Sequence, residues 1–235
     1  MRINELIYTS LCVFFSVFIV TGNLIYQKFV FLPILSFYTF ELSIGAIIYP
    51  FTFLITDLII EFYGKEKANF CVKLALLMNI LIACIVMGMD QLEATTWSKV
   101  NNNTFHTVFG YYSIAFLSSI IACYTAQTID IILYLWIKKL TKDKWLWARN
   151  NGSTAISLFI DTCIVVTVMT IFHVIPADQM WSLILNSYLF KLFFSVSSTP
   201  LFYLFVKMIK QIQKNTVHPK SFICTICNDH FYKNI

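Results

Sequence analysis

Three aspartates and one lysine interrupt long apolar stretches of this chain, and they are the first guide to its chemistry: Asp57, Asp130, Asp161 and Lys191. A carboxylate offers acceptors, an ammonium offers donors, and both can exchange a proton. Inside an apolar medium such groups are unfavourable unless they face a bundle interior or a watery cavity, so each is a candidate for function. Asp57 closes the stretch Tyr49-Pro50-Phe51-Thr52-Phe53-Leu54-Ile55-Thr56-Asp57, and Glu61 follows one turn later on the same helix face. For Glu61 a site role and a solvated helix end near Lys65 both remain open. Cys123, Gln127, Asp130 and Tyr134 share a second face by three- and four-residue spacing. Gln and Asp on one face, with Tyr above them, make a better binding surface than a packing seam. A third stripe follows Arg149-Asn150-Asn151-Gly152, where Ser153, Ser157 and Asp161 recur every four residues. Lys191 is followed on its own face by Ser195, Ser198 and Thr199. A buried lysine needs a partner or must reach the interface, and Asp57, Asp130 or Asp161 can supply one.

The elements that position these groups follow from composition. Of 235 residues, 58% are hydrophobic and 12% charged, and the mean hydropathy is +0.73. A soluble domain would be about a quarter charged, so most of the outer surface must meet lipid. A crossing takes about 20 apolar residues, and runs fit near Leu6–Gln27, Tyr38–Ile60, Ala68–Met89, Tyr111–Ile137, Thr154–Ile175 and Trp181–Val206. Backbone in lipid must satisfy its own hydrogen bonds, so the runs predict an all-α integral membrane protein, a bundle of about six transmembrane helices. The first run follows Arg2 as a signal sequence would, but it is too long and lacks a small-residue cleavage site, so it is expected to be retained.

Arg2, the lysines from Lys65 to Lys73, the basic residues from Lys138 to Arg149 and the lysines from Lys207 onward all fall on one side of this layout. Lys28 and Lys99 fall on the other. Positive loops stay inside, which predicts both termini cytoplasmic in a cell inner (plasma) membrane. The longest external loop is Asp90–Thr107. The net charge of +5 reports this topology and does not suggest nucleic-acid binding. Cys12, Cys71, Cys84, Cys123 and Cys163 stand singly in apolar runs, where thiols act as small hydrophobes. Pro50 and Pro200 remove backbone hydrogen bonds within their spans, as interruptions at transporter sites often do.

Taken in order, several stretches resemble the queuosine precursor transporter family, within the vitamin uptake transporter group. They are Tyr49 to Leu58 through Phe62-Tyr63-Gly64, Gln127-Thr128-Ile129-Asp130, Trp145-Leu146-Trp147-Ala148-Arg149-Asn150-Asn151, Ser153-Thr154, Ile160-Asp161-Thr162, Tyr188, Phe190-Lys191 and Thr199-Pro200. Thr21-Gly22-Asn23 resembles the small polar step that ends the family's first helix. The resemblance implies import of a 7-deazaguanine precursor of queuosine (the cyano or aminomethyl base, or queuine) for tRNA modification. The expected substrate-binding residues are Asn23, Asp57, Gln127, Asp130, Asn150, Asp161 and Lys191. Carboxylates can accept the paired N–H donors of a guanine-like edge, amides can read donors and acceptors, and aromatic rings can stack on the base.

The resemblance also allows a substrate-binding subunit of an ATP-driven vitamin importer. The chain has no G-x-x-x-x-G-K-[ST] loop of its own, so candidate partners are an energy-coupling module or a second copy, besides the deazapurine and the bilayer. An intramembrane enzyme is a third reading, but neither H-E-x-x-H nor G-x-S-x-G occurs. No cofactor is expected. Residues 1–210 form the expected transmembrane domain and 211–235 a flexible cytoplasmic tail. Within the tail His218, Cys224, Cys227 and His230 could bind zinc, although a disordered reduced tail is the favoured reading.

Overall fold

Hydropathy cannot distinguish a short apolar strand from the start of a helix, and the computed structural model resolves that ambiguity at the second run. The structure describes residues 3–26, 28–35, 38–110 and 112–217. After α1 (Ile3–Leu24), the chain forms an antiparallel hairpin of β1 (Phe29–Leu35) and β2 (Tyr38–Ser43), in which Phe31 pairs with Glu41 and Phe29 with Ser43. The run expected as a helix from Tyr38 is therefore strand up to Ser43, and the helix starts at Gly45. A two-stranded ribbon leaves open edges, which do not occur against hydrocarbon. Its place is at an interface or under cover, and Phe40 and Leu42 bury themselves beside Phe190.

The remaining elements are helices: α2 (Gly45–Asp90), α3 (Asn102–Phe109), α4 (Tyr112–Leu140), α5 (Leu146–Ile171), α6 (Met180–Ser197) and α7 (Thr199–Val217). Helix α3 takes up the last part of the segment expected as an external loop, Asp90–Thr107, and runs on to Phe109. Helix α5 starts eight residues before the expected span and so takes in Arg149 and Asn150. Four helices, α1, α2, α4 and α5, are long and apolar enough to cross a membrane, and α6 with α7 passes the same test as a pair bent by 43°. Pro200, second residue of α7, lies just past that bend, where its ring and missing N–H oppose a straight continuation.

Helix α2 has 46 residues. Straight, it would run about 69 Å, more than twice the ~30 Å hydrocarbon core. It is broken at Gly64, whose φ of 80° and ψ of 179° are non-helical. Only glycine adopts this combination without strain. Space is not the reason for the glycine, because an added Cβ would touch nothing within 4 Å.

Outward faces carry Phe14, Leu81, Trp136, Phe159 and Leu185, all exposed, as a lipid solvent requires. Inside, Phe15, Ile19, Ile59, Cys71 and Tyr134 join α1, α2 and α4 in one cluster. Some hydroxyls in this interior donate within their own helices: Ser157 to the Ser153 carbonyl (2.9 Å) and Thr162 to that of Leu158 (2.8 Å). Expectations for Arg2 and for the His218, Cys224, Cys227 and His230 group lie outside the described residues. Of the segment 211–235, residues up to Val217 continue α7.

Candidate functional site: a polar column through the bundle

On α2, Tyr49, Phe53, Asp57 and Glu61 recur every four residues, and on α5 so do Arg149, Ser153, Ser157 and Asp161. The two ladders run in opposite directions. Tyr49 meets Asp161, Asp57 meets Thr154, and Glu61 meets Arg149. Helix α4 runs with α2, setting Gln127 against Thr56, Asp130 against Asp57, and Tyr134 against Glu61. Twelve residues of α2 separate Tyr49 from Glu61, so the column is about 18 Å long.

At the end formed by the close of α1 and the start of α2, Tyr49 Oη donates to Asp161 Oδ1 at 2.7 Å and Lys191 Nζ to Oδ2 at 2.8 Å. The same ammonium lies 3.2 Å from Thr162 Oγ1 and 4.7 Å from the centre of the Tyr49 ring. Lys191 thus takes Asp161 as its partner, of the three acids that could have served. These groups border a cavity of about 30 Å³ together with Asn23, Tyr26 and Ser187. Ser119 Oγ donates to Asn23 Oδ1 at 2.6 Å, while Asn23 Nδ2 has no partner. Gly22 and Gly45 wall the cavity. A Cβ on Gly45 would collide with the Gly22 carbonyl oxygen, so the glycine permits the close crossing of α1 and α2. Ser43 tightens that corner, donating to the Tyr26 carbonyl and accepting from the Gly45 N–H at 3.2 Å.

Midway, Thr56 Oγ1 stands 2.8 Å from both Gln127 Oε1 and the Thr52 carbonyl and 3.1 Å from the Phe53 carbonyl, so one proton faces three acceptors. Asp57 and Asp130 sit side by side, both fully buried. Thr154 Oγ1 approaches Asp57 Oδ2 at 3.5 Å. Asp57 Oδ1 and both Asp130 oxygens have no hydrogen-bond partner.

The far end is a closed network. Glu61 accepts from Arg149 Nη2 at 2.7 Å, from Lys138 Nζ at 3.1 Å and from Tyr134 Oη at 3.1 Å. Arg149 also reaches the Asp143 carboxylate at 3.4 Å and the Tyr134 hydroxyl at 3.3 Å. Glu61 is therefore bound into the bundle and does not pair with Lys65.

Of the expected substrate residues, Asn23, Asp161 and Lys191 border the cavity. Asp57, Gln127 and Asp130 lie further along the column, and Asn150 is buried beside Arg149 away from the cavity. Tyr49 carries a role that its place in the apolar stretch before Asp57 does not announce. Its signal was the eight-residue step back from Asp57 along the same face. Arg149 was counted as a loop charge, and its twelve-residue separation from Asp161 was the available clue. Asn79 was also missed: it is fully buried in α2 with both amide atoms unpartnered, and it is the one polar residue in Leu76-Leu77-Met78-Asn79-Ile80. A larger groove of about 470 Å³ between α1, α2 and α7 is lined by residues such as Phe14, Phe18, Leu54 and Phe205. It suits acyl chains and has no polar set with which to read a solute.

The family model described as "Putative vitamin uptake transporter" matches residues 43–205, the stretch that contains all of the column and most of the cavity wall. The chain belongs to that family. It is a multi-pass membrane transporter of the plasma membrane, not an enzyme. A relative in Bacillus subtilis (strain 168), named "Probable queuosine precursor transporter", is 30% identical over 175 residues, covering 74% of this chain and 76% of its own length. No solved structure matches this chain. Within the matched stretch, Asp161, Lys191 and Tyr49 are the polar groups that meet at the cavity, and Asn23 joins them from α1.

Proposed function

We propose that this transporter imports a 7-deazaguanine precursor of queuosine and that the base binds where Asp161, Lys191, Tyr49 and Asn23 converge. The observation that carries the reading is the unpartnered Asn23 amide nitrogen beside a carboxylate–ammonium pair and two tyrosines at one cavity. Asp161 can accept the paired N–H donors of a guanine-like edge. Asn23 Nδ2 and Lys191 Nζ can donate to its carbonyl or to the 7-substituent, and Tyr26 and Tyr49 offer faces for stacking. The name of the Bacillus subtilis relative supports the same substrate class.

A cavity of about 30 Å³ is far below the ~300 Å³ at the low end of ligand pockets. On this reading the site is closed in this form, and a base enters only when the bundle opens. Counting α2 as two spans about Gly64 and the bent α6–α7 pair as one gives six crossings, with both termini on the Lys-rich side. A reporter fused after Ile235 should then be cytoplasmic, and a periplasmic readout would exclude the six-span arrangement. The test of function is uptake of the labelled cyano base, aminomethyl base and queuine by cells that lack their own pathway and express this chain alone. Saturable uptake of one, competed by the others, is expected. No uptake of any of the three with normal membrane abundance would refute the reading.

A further inference from the structure

The Asp57–Asp130 pair does not touch the cavity, yet among the described residues it is a buried pair of carboxyl groups with little compensation. Both side chains are fully buried, and three of their four oxygens accept no hydrogen bond. No Lys, Arg or His among the described residues lies within ion-pair distance of either. The charged and titratable groups facing the pair are Glu61 on α2 and Tyr134 on α4. From α5 come only the hydroxyls of Ser153, Thr154 and Ser157. Arg149, the nearest cation along the column, is engaged by Glu61, Tyr134 and Asp143.

Two adjacent carboxylates in an apolar interior repel one another and lose hydration, and a cation bound between them relieves both penalties. The surrounding hydroxyl oxygens are hard, neutral donors that suit a small monovalent ion. We infer that Asp57 and Asp130 form a cation-binding site, for a proton or a sodium ion, whose occupancy drives transport of the solute held at Asp161 and Lys191. Its position favours that role. It lies on the same α2 face as Tyr49, eight residues away and about 12 Å along the helix, between the cavity and the Glu61–Arg149 network. Helices α2, α4 and α5 all contribute to it, so filling or emptying it changes the attraction among the three helices that also carry the column. The inference depends on the transport reading for its consequence, but the ion site itself can be measured without any solute.

The first measurement is infrared difference spectroscopy of the purified full-length protein in lipid, scanned over pH with and without sodium chloride, for wild type, Asp57→Asn and Asp130→Asn. A protonated-carboxyl band that titrates in wild type and vanishes in each variant identifies a proton site. A sodium-dependent shift of carboxylate bands, lost in each variant, identifies a sodium site. Spectra unchanged by either substitution overturn the proposal. The second measurement uses proteoliposomes and compares gradient-driven accumulation of the labelled cyano base with its exchange at equilibrium. In each variant the ratio of accumulation to exchange should fall about tenfold or more, with a pH gradient or a sodium gradient as the effective driver in wild type. Variants that accumulate base as wild type does, or wild-type accumulation that requires only ATP and a second protein, would also overturn it. A positive spectroscopic result with no base transport by wild type would leave the ion site standing and remove the deazaguanine reading instead.

Discussion

At each end of the polar column a residue of α2 meets a residue of α5 across the same twelve-position ladder, but the two meetings differ in how much capacity they leave. Asp161 receives Tyr49 and Lys191, one donor per oxygen. A carboxylate has about four lone-pair sites, so it can still accept from a solute in the adjoining cavity. Glu61 receives Arg149, Lys138 and Tyr134, and no cavity adjoins it among those described. The first arrangement is a pair held ready for a ligand, and the second is a clasp that ties α2, α4 and α5 together beside the Lys-rich loop. Burial alone does not separate these roles. Spare acceptor capacity next to empty space does.

The sharpest way to break this contrast is at Lys191. Lys191→Met leaves Asp161 buried with a lone tyrosine partner, a loss of about 3–5 kcal/mol for a buried pair, so both membrane abundance and uptake should collapse. Lys191→Met with Asp161→Asn removes the orphaned charge. Abundance should then recover while uptake stays absent, as read by immunoblot and labelled-base uptake on the same cells. Recovery of uptake in the double variant would mean that the pair only supports packing.

At the other end, Arg149→Met should lower stability by less, because Lys138 still pairs with Glu61; about 1–3 kcal/mol is expected for the lost charged hydrogen bonds. Thermal unfolding in detergent should shift down, and uptake per inserted molecule should fall less than in Lys191→Met. Equal loss per molecule at the two ends would erase the distinction between binding pair and clasp.

A smaller effect of steric origin is expected at the cavity wall. Gly45→Ala drives a methyl into the Gly22 carbonyl, and overpacking of this kind costs about 1–3 kcal/mol. Gly22→Ala should be milder, since its Cβ would meet its nearest neighbours at 3.6 Å. Uptake kinetics for both variants would show whether the α1–α2 crossing shapes the cavity or merely closes the bundle. Gly64→Ala should cost about 1–3 kcal/mol, from backbone strain alone, since its Cβ would meet nothing within 4 Å. It is read as a modest drop in unfolding temperature with uptake per molecule retained.

Much of the fold was legible without coordinates, for a physical reason: lipid imposes one rule along the whole chain. An apolar run of sufficient length must become a helix, and an ionised group within it must turn inward. That rule reached α1, α4, α5 and the second half of α2, and it marked Asp57, Asp130, Asp161 and Lys191 as interior groups. It failed where two backbone solutions share one composition. The apolar residues before Gly45 pair as two antiparallel strands, a ribbon whose open edges suit an interface, and hydropathy has no term for an edge that is covered.

Periodicity assigns side chains to a face of their own helix, and that much the sequence determined by itself. Which face meets which depends on how each helix is rotated and at what height it packs, and those are properties of the assembled bundle. The choice of Asp161 over Asp57 or Asp130 as the partner of Lys191 was therefore a tertiary decision. So was the fate of Arg149. In a count of loop charges it is one more cytoplasmic cation, but antiparallel packing of α5 on α2 brings it level with Glu61 and buries both. The same packing leaves Asp57 and Asp130 side by side, with no basic residue among those described within ion-pair distance of either.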